Sequence, residues 1–418
     1  MRRPRVRGDV LMRRSTDRPT NADRGGSAAA DPQPRREGDA PAFLPRRDYA
    51  VAADPRPPKG PTRRPQRAGG VKAVPGVAGR LRPGWLLAGV AALTAACLAG
   101  IALGPVRLPP DAILLSLVDR LVGTAVVSGL SEREAAILWQ LRLPRVVLGG
   151  LVGAILASAG AGYQGVFRNP LADPYLLGIA AGAGLGATLV FGYASGGLGW
   201  PISPLPLAAF AGALIGVAAT YTLGRSVRGE RGAASYILAG VAVGAFFTAV
   251  QTFVAQRDTD SLRQVYAWLL GRLSTSGWDE VLLVLPYAVV STVVLLLHRR
   301  LLDVISVGDR EAVALGVSVG RVRLTVVLAA SLGTAAAVAV SGLIGFVGII
   351  VPHTVRLLAG WSYRTLLPLS LLFGAAFLIL ADLLARVLLA PAEIPIGVIT
   401  AFIGAPFFAL VLYHRRTP

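Results

Sequence analysis

From Trp85 onward the chain alternates long apolar runs with short polar interruptions. Each run is near the roughly 20 residues that a helix needs to cross a hydrocarbon layer about 30 Å thick. Ten runs predict ten spans, at approximately 85–104, 146–165, 175–194, 204–224, 234–255, 280–298, 324–343, 346–359, 366–386 and 396–413. The eighth is short for a full crossing, which predicts a half-helix or one packed within the bundle. Gly149 and Gly153, then Gly178, Gly182 and Gly186, Gly212 and Gly216, and Gly240 and Gly244 recur four residues apart. That spacing lets helix backbones approach closely in a solvent that offers no hydrophobic drive for association. The expected fold is therefore an all-α polytopic membrane protein of about ten transmembrane helices.

Composition agrees: 54% of the 418 residues are hydrophobic and 16% charged, against roughly 25% charged for a soluble domain. The net charge of +19 would suggest nucleic acid if it covered a folded surface. It does not, because residues 1–80 carry 19 basic and 8 acidic residues together with 12 of the 29 prolines. Such a segment buries too little apolar surface to offset the entropy of ordering. It is expected to be a disordered Arg/Pro-rich cytoplasmic tail drawn to anionic lipid, with the ten-helix membrane domain at 81–418. No nucleic-acid partner is expected. The first thirty residues hold no apolar h-region, so no cleavable signal peptide is read there.

Orientation follows from arginine. Arg225, Arg228 and Arg231 follow the fourth span, an arginine-rich stretch from His298 to Arg323 follows the sixth, and Arg415 and Arg416 close the chain. The positive-inside rule makes these loops, and both termini, cytoplasmic. Arg142, Arg145, Arg257, Arg263, Arg272 and Arg386 then fall on or near the opposite side and need a separate reason.

Catalytic chemistry is hard to place. The three histidines, His298, His353 and His414, are scattered, and Cys97 is alone, so no metal site and no cofactor is expected. Lys59 and Lys72 are the only lysines and no Walker-type loop occurs, so the chain is not expected to be an enzyme or to bind ATP itself. Within the spans, Asp382 and Arg386 stand four residues apart and can pair. An ion-coupled secondary transporter would want carboxylates near the midplane, whereas Asp382 is close to one end of its span. The stretch Arg168-Asn169-Pro170-Leu171-Ala172-Asp173-Pro174 forces a turn. Gly342, Gly345 and Gly348 ahead of Val351-Pro352-His353 predict a broken or closely packed helix. Ser306 to Gly316 reads as a short helix whose N-terminus Asp309 can cap or charge and which Gly316 can end.

Taken in order, several motifs resemble the permeases of bacterial ATP-binding-cassette importers for iron chelates, haem and cobalamin, the FecCD-like type II importers. They are Leu141-Arg142-Leu143-Pro144-Arg145, Gln164 with the Arg168–Pro174 stretch, Leu238-Ala239-Gly240-Val241-Ala242, and Gly308 to Gly316. Gly342 to Gly348 with Val351-Pro352-His353 and Arg356, Ala381-Asp382 with Arg386, Glu393-Ile394-Pro395-Ile396-Gly397 and Gly404-Ala405-Pro406-Phe407-Phe408 complete the series. The resemblance implies a homodimer around a central pathway, two cytoplasmic ATPase subunits, an extracytoplasmic substrate-binding protein and a place in the bacterial inner or plasma membrane. It implies that Arg142, Arg145 and Arg386 dock carboxylates of the binding protein and that Asn169 and Leu171 form a constriction at the cytoplasmic exit. Gly308, Glu311, Ala312, Leu315 and Gly316 are implied to seat in the ATPase. The second cytoplasmic gate of such permeases is not carried over, because Gly232-Ala233-Ala234-Ser235 stands there. Iron chelate leads as the expected cargo, with haem or cobalamin as the alternative.

Overall fold

The structure, a computed structural model, describes residues 81–123, 129–193, 203–226, 233–257, 259–273 and 277–414; the basic segment 1–80 lies outside them. Every regular element among the described residues is helical. In chain order they are α1 (Pro83–Ala102), α2 (Pro110–Val122), α3 (Glu132–Ala136), α4 (Leu143–Phe167), α5 (Ile179–Tyr193), α6 (Pro204–Ser226) and α7 (Ala233–Ala255). There follow α8 (Thr259–Leu269), α9 (Asp279–Val307), α10 (Asp309–Ala314), α11 (Val319–Ser341), α12 (Val347–Ala359), α13 (Tyr363–Val387) and α14 (Ile396–His414).

Among the described residues, seven helical stretches are long and apolar enough to cross a membrane: α1, the α3–α4 unit, α6, α7, α9, α11 and α13. Three shorter apolar helices, Ile179–Tyr193, Val347–Ala359 and Ile396–Val411, stand where the third, eighth and tenth spans are expected. The expected break before the eighth is present: α11 stops at Ser341, Gly342 and Phe346 take left-handed φ of 67° and 69°, and α12 starts at Val347. Two further helices, α2 and α8, are amphipathic rather than apolar and are not announced by the apolar runs.

Helix α4 is the centre of the packing. Its most apolar window is 78% buried, against 72% for α11, 61% for α13 and only 17% for α1. Helices α13, α11, α9 and α12 surround it, and α5 packs on α6 and α7. Small residues set these contacts. A Cβ added at Gly153 would run into the carbonyl of Gly374, and one at Gly160 into that of Gly348. Gly182 and Gly212 face each other with backbone against backbone in the same way, and Gly186 meets Ala208. Of the repeated glycines, Gly149 and Gly244 make no such close backbone approach: a Cβ at Gly149 would meet the Leu273 side chain at 3.3 Å and backbone only at 3.9 Å, and one at Gly244 only the Ala181 methyl at 4.0 Å.

Close backbone approach makes the added methyl decisive. Gly182→Ala is expected to destabilise by about 1–3 kcal/mol, the usual cost of overpacking, and to lower the unfolding temperature in detergent. Gly320→Ala, which meets no atom within 4 Å, should leave it unchanged or raise it.

Candidate functional site

The two ends of α4 carry the residues singled out by sequence. At its N-terminal end Pro144 cannot donate a backbone hydrogen bond, and over Ile137–Arg142 the helix widens to a π-helical register, with the Leu143 N–H reaching back to the Leu138 carbonyl. That widening turns Arg142 inward. It is 5% exposed and donates to the carbonyls of Ile101 at 3.0 Å, Ala102 at 3.4 Å and Val106. It therefore binds the polar end of α1 and the turn beyond it.

Arg145, one turn on, is held by two carboxylates. Its Nε lies 3.0 Å from Asp382 Oδ1 and its Nη2 2.9 Å from the same oxygen, while Nη1 and Nη2 sit 2.9 and 3.0 Å from the two oxygens of Glu393. Asp382 also receives Arg386 Nε at 2.9 Å, the i, i+4 pair expected from sequence. Arg386 donates further to the Gly100 carbonyl at 3.2 Å. The structure thus brings the three arginines together and corrects how they stand: Arg142 and Arg386 face protein, not solvent. Only Arg145, with a side chain 14% exposed, reaches the surface, and Glu393 beside it is 46% exposed. A cavity of about 250 Å³ lined by Arg145, Arg272 and Glu393 opens beside this pair.

At the C-terminal end, Arg168 caps α4 with φ 49°, and the Asn169 side chain accepts the Leu171 N–H at 3.0 Å, fixing a tight turn. Leu171 is 39% exposed. Asp173 accepts the Tyr175 N–H at 2.8 Å, but burial outweighs that bond and lifts its carboxyl to about 6. Tyr175 anchors the turn to the break between α11 and α12, donating to the Ile344 carbonyl and accepting from its N–H, both at 3.1 Å. Three residues of the sequence motifs meet nearby: Gln164 donates to the Gly348 carbonyl at 2.9 Å and accepts from Arg356, which is 4% exposed.

Helix α10 lies at this same end, as shown by an ion pair between Asp309 and Arg168. A short helix is present within the expected stretch but only over Asp309–Ala314: Ser306 and Val307 end α9, and Gly316, with φ 79°, follows the Leu315 cap. Of the two roles open to Asp309, it charges the first turn rather than capping it: Gly308 holds the N-cap position, and Glu311 folds its carboxylate back over Gly308. Ala312 is fully buried, while Val313 and Leu315 are 63% and 71% exposed. His353 is buried with its ring edge against Phe407. Sequence reading missed the partners of Arg145 and Asp309 that lie on other helices, because no local spacing encodes them. It also missed Asp303, which accepts from Ser362 Oγ at 2.9 Å and the Tyr363 N–H at 2.6 Å.

The sequence profile of the FecCD transport family matches residues 92–414. The chain is 44% identical to the cobalamin import system permease protein BtuC of Halobacterium salinarum, over 69% of this chain and 76% of that one. It is 37% identical to the Fe(3+)-citrate import system permease protein YfmE of Bacillus subtilis, over 75% of this chain and 89% of that one. Among solved structures, an inward-facing metal-chelate type ABC transporter superposes with a TM-score of 0.68 at 29% identity, covering 80% of this chain and all of the other.

Asp382 and Glu393 separate by burial. Asp382→Asn strips the carboxylate from two poorly solvated guanidiniums and should cost about 3–5 kcal/mol, read as a large fall in unfolding temperature. Glu393→Gln removes a partner from a wet pair worth about 0–1 kcal/mol and should leave that temperature within a few degrees.

Proposed function

The chain belongs to the FecCD transport family, and from that membership we propose that it is the membrane permease of an ATP-driven importer, passing a ferric siderophore from an external binding protein into the bacterial cytoplasm. Membership supports a metal-chelate importer permease as the class. The observation that carries this reading is the match over residues 92–414, which runs from within α1 to the end of α14. Haem or cobalamin is the alternative cargo.

In this reading the seven long helices and the three shorter apolar ones make ten spans, with both termini in the cytoplasm and two copies around a shared pathway. An open apolar cavity of about 670 Å³, lined by Leu269, Leu343, Phe346, Phe402 and Pro406 among others, supports a pathway along α14. The N-terminal end of α4 then faces outward. There Arg145 takes a carboxylate of the loaded binding protein, with Arg142 and Arg386 holding α1, α4 and α13 so that Arg145 stays in place. At the inner end, Asn169 and Leu171 narrow the exit. Helix α10, with Gly308, Glu311, Ala312, Leu315 and Gly316, seats in the ATPase through its exposed Val313 and Leu315 edge. ATP-driven approach of the two ATPases displaces α10, and the small-residue contacts let the helices rock between outward-open and inward-open arrangements.

The class is tested by co-purification: the tagged chain from its native membrane is expected to bring down an ATPase with a Walker loop, and its recovery with no such subunit would contradict the reading. Arg145→Gln, which leaves Asp382 paired with Arg386, should reduce association with the binding protein at least tenfold while leaving ATPase recovery unchanged; Glu311→Arg should do the reverse. Cargo is decided by titrating the purified binding protein with a ferric siderophore, haem and cobalamin and following its tryptophan fluorescence.

A further inference from the structure

We propose that Arg168, Asp309 and Arg323 form an electrostatic latch that ties the turn after α4 to α10, so that displacement of α10 reaches Asn169 and Leu171 directly rather than through the membrane helices. The roles of the two elements rest on the importer reading above, whereas the link itself rests on geometry.

Asp309 is the first residue of α10 and caps nothing. Its carboxylate instead receives Arg168 Nη2 at 3.2 Å from the end of α4 and Arg323 Nη2 at 3.4 Å from α11. One carboxylate therefore holds two guanidiniums from two elements, and its loss would leave two like charges side by side. Arg168 stands at φ 49°, a C-cap position that glycine adopts without strain and an arginine does not. The long side chain supplies what glycine cannot, a reach from α4 to α10.

The turn beyond Arg168 is stiff. Arg168 N–H donates to the Gly165 carbonyl at 3.3 Å, Asn169 N–H to the Gln164 carbonyl at 3.1 Å, and Leu171 N–H to Asn169 Oδ1 at 3.0 Å. A pull on the guanidinium thus moves the turn as one piece. The side chains of Arg168 and Asp309 are both 43% exposed, so the pair is individually weak and screened by salt. Weakness suits a contact that opens and closes once per cycle; a buried pair at this place would hold the turn shut.

The test uses the full chain in nanodiscs with no other subunit. On a Cys97→Ser background, Leu171→Cys reports the turn through its rate of reaction with a charged maleimide. Arg168→Asp and Asp309→Arg should each raise that rate at least fivefold, and the double exchange should return it to within twofold of the parent. Raised ionic strength should speed the parent and leave an Asp309→Asn variant unchanged. Equal rates in the parent and both single variants, or a double exchange no better than the singles, would overturn the latch. Should a charge reversal fail to fold, Arg168→Gln and Asp309→Asn break the pair without reversing it: each should raise the rate, the double should raise it no further than the larger single, and additive effects would overturn the latch. In the complex with its ATPase, the single variants should move several-fold less cargo per ATP hydrolysed. If labelling follows the expectation but no variant or parent transports on ATP, the importer reading falls and the latch stands. If cargo per ATP is unchanged in the single variants, the latch falls and the importer reading stands.

Discussion

A charge placed within hydrocarbon must bring its own solvation, and that requirement organises this molecule around Asp382. The carboxylate is 2% exposed and lies between Arg145 and Arg386, which in turn reach the carbonyl end of α1 and the Glu393 loop. One acidic residue thereby closes α1, α4 and α13 at a single end. The same rule is obeyed at the other end of α4, where Arg356 is satisfied by Gln164 and by the face of Trp361. Among the described residues, the buried ionic groups Asp382, Arg386 and Arg356 are structural in this sense. They hold helices together.

Between the two charged ends the bundle is joined by backbone contact. Gly153 on Gly374, Gly160 on Gly348 and Gly182 on Gly212 place helices at distances that no side chain would allow. Such interfaces have few interlocking side chains to unpick, so helices can rock without paying to repack a jigsaw of large residues. The charged ends limit that freedom: the Asp382 cluster is buried and fixed, whereas the Asp309 pairs are half exposed and yielding. One end of α4 is thus held by a buried cluster and the other by half-exposed pairs.

Much of this was legible in the chain as written. Apolar length marks the helices, and a proline-flanked seven-residue stretch marks the turn after α4. The Asp382–Arg386 pair is readable because it falls within one helix at four-residue spacing. Helix ends are less so. The run near 280–298 stops at His298, Arg299 and Arg300, yet α9 continues to Val307, because charged residues end an apolar run without ending the hydrogen-bond ladder. Helices α2 and α8 escape for a related cause: each is apolar on one face only, so neither makes a continuous run. Contacts between distant segments are hidden altogether. Nothing local to Arg145 points to Glu393, nor anything near Arg168 to Asp309, since helix packing alone decides which charges meet. That is also why three arginines expected on an outer surface turn out to be one at the surface and two beneath it.

The central claim is that this chain moves cargo without powering the movement. The most direct measurement places the purified protein alone in liposomes, imposes proton and sodium gradients in turn, and follows accumulation of labelled ferric siderophore, haem and cobalamin against a parallel sample holding the ATPase, binding protein and ATP. The account predicts uphill accumulation of one of these only in the complete, ATP-supplied sample. Accumulation driven by an ion gradient in the chain alone would contradict it.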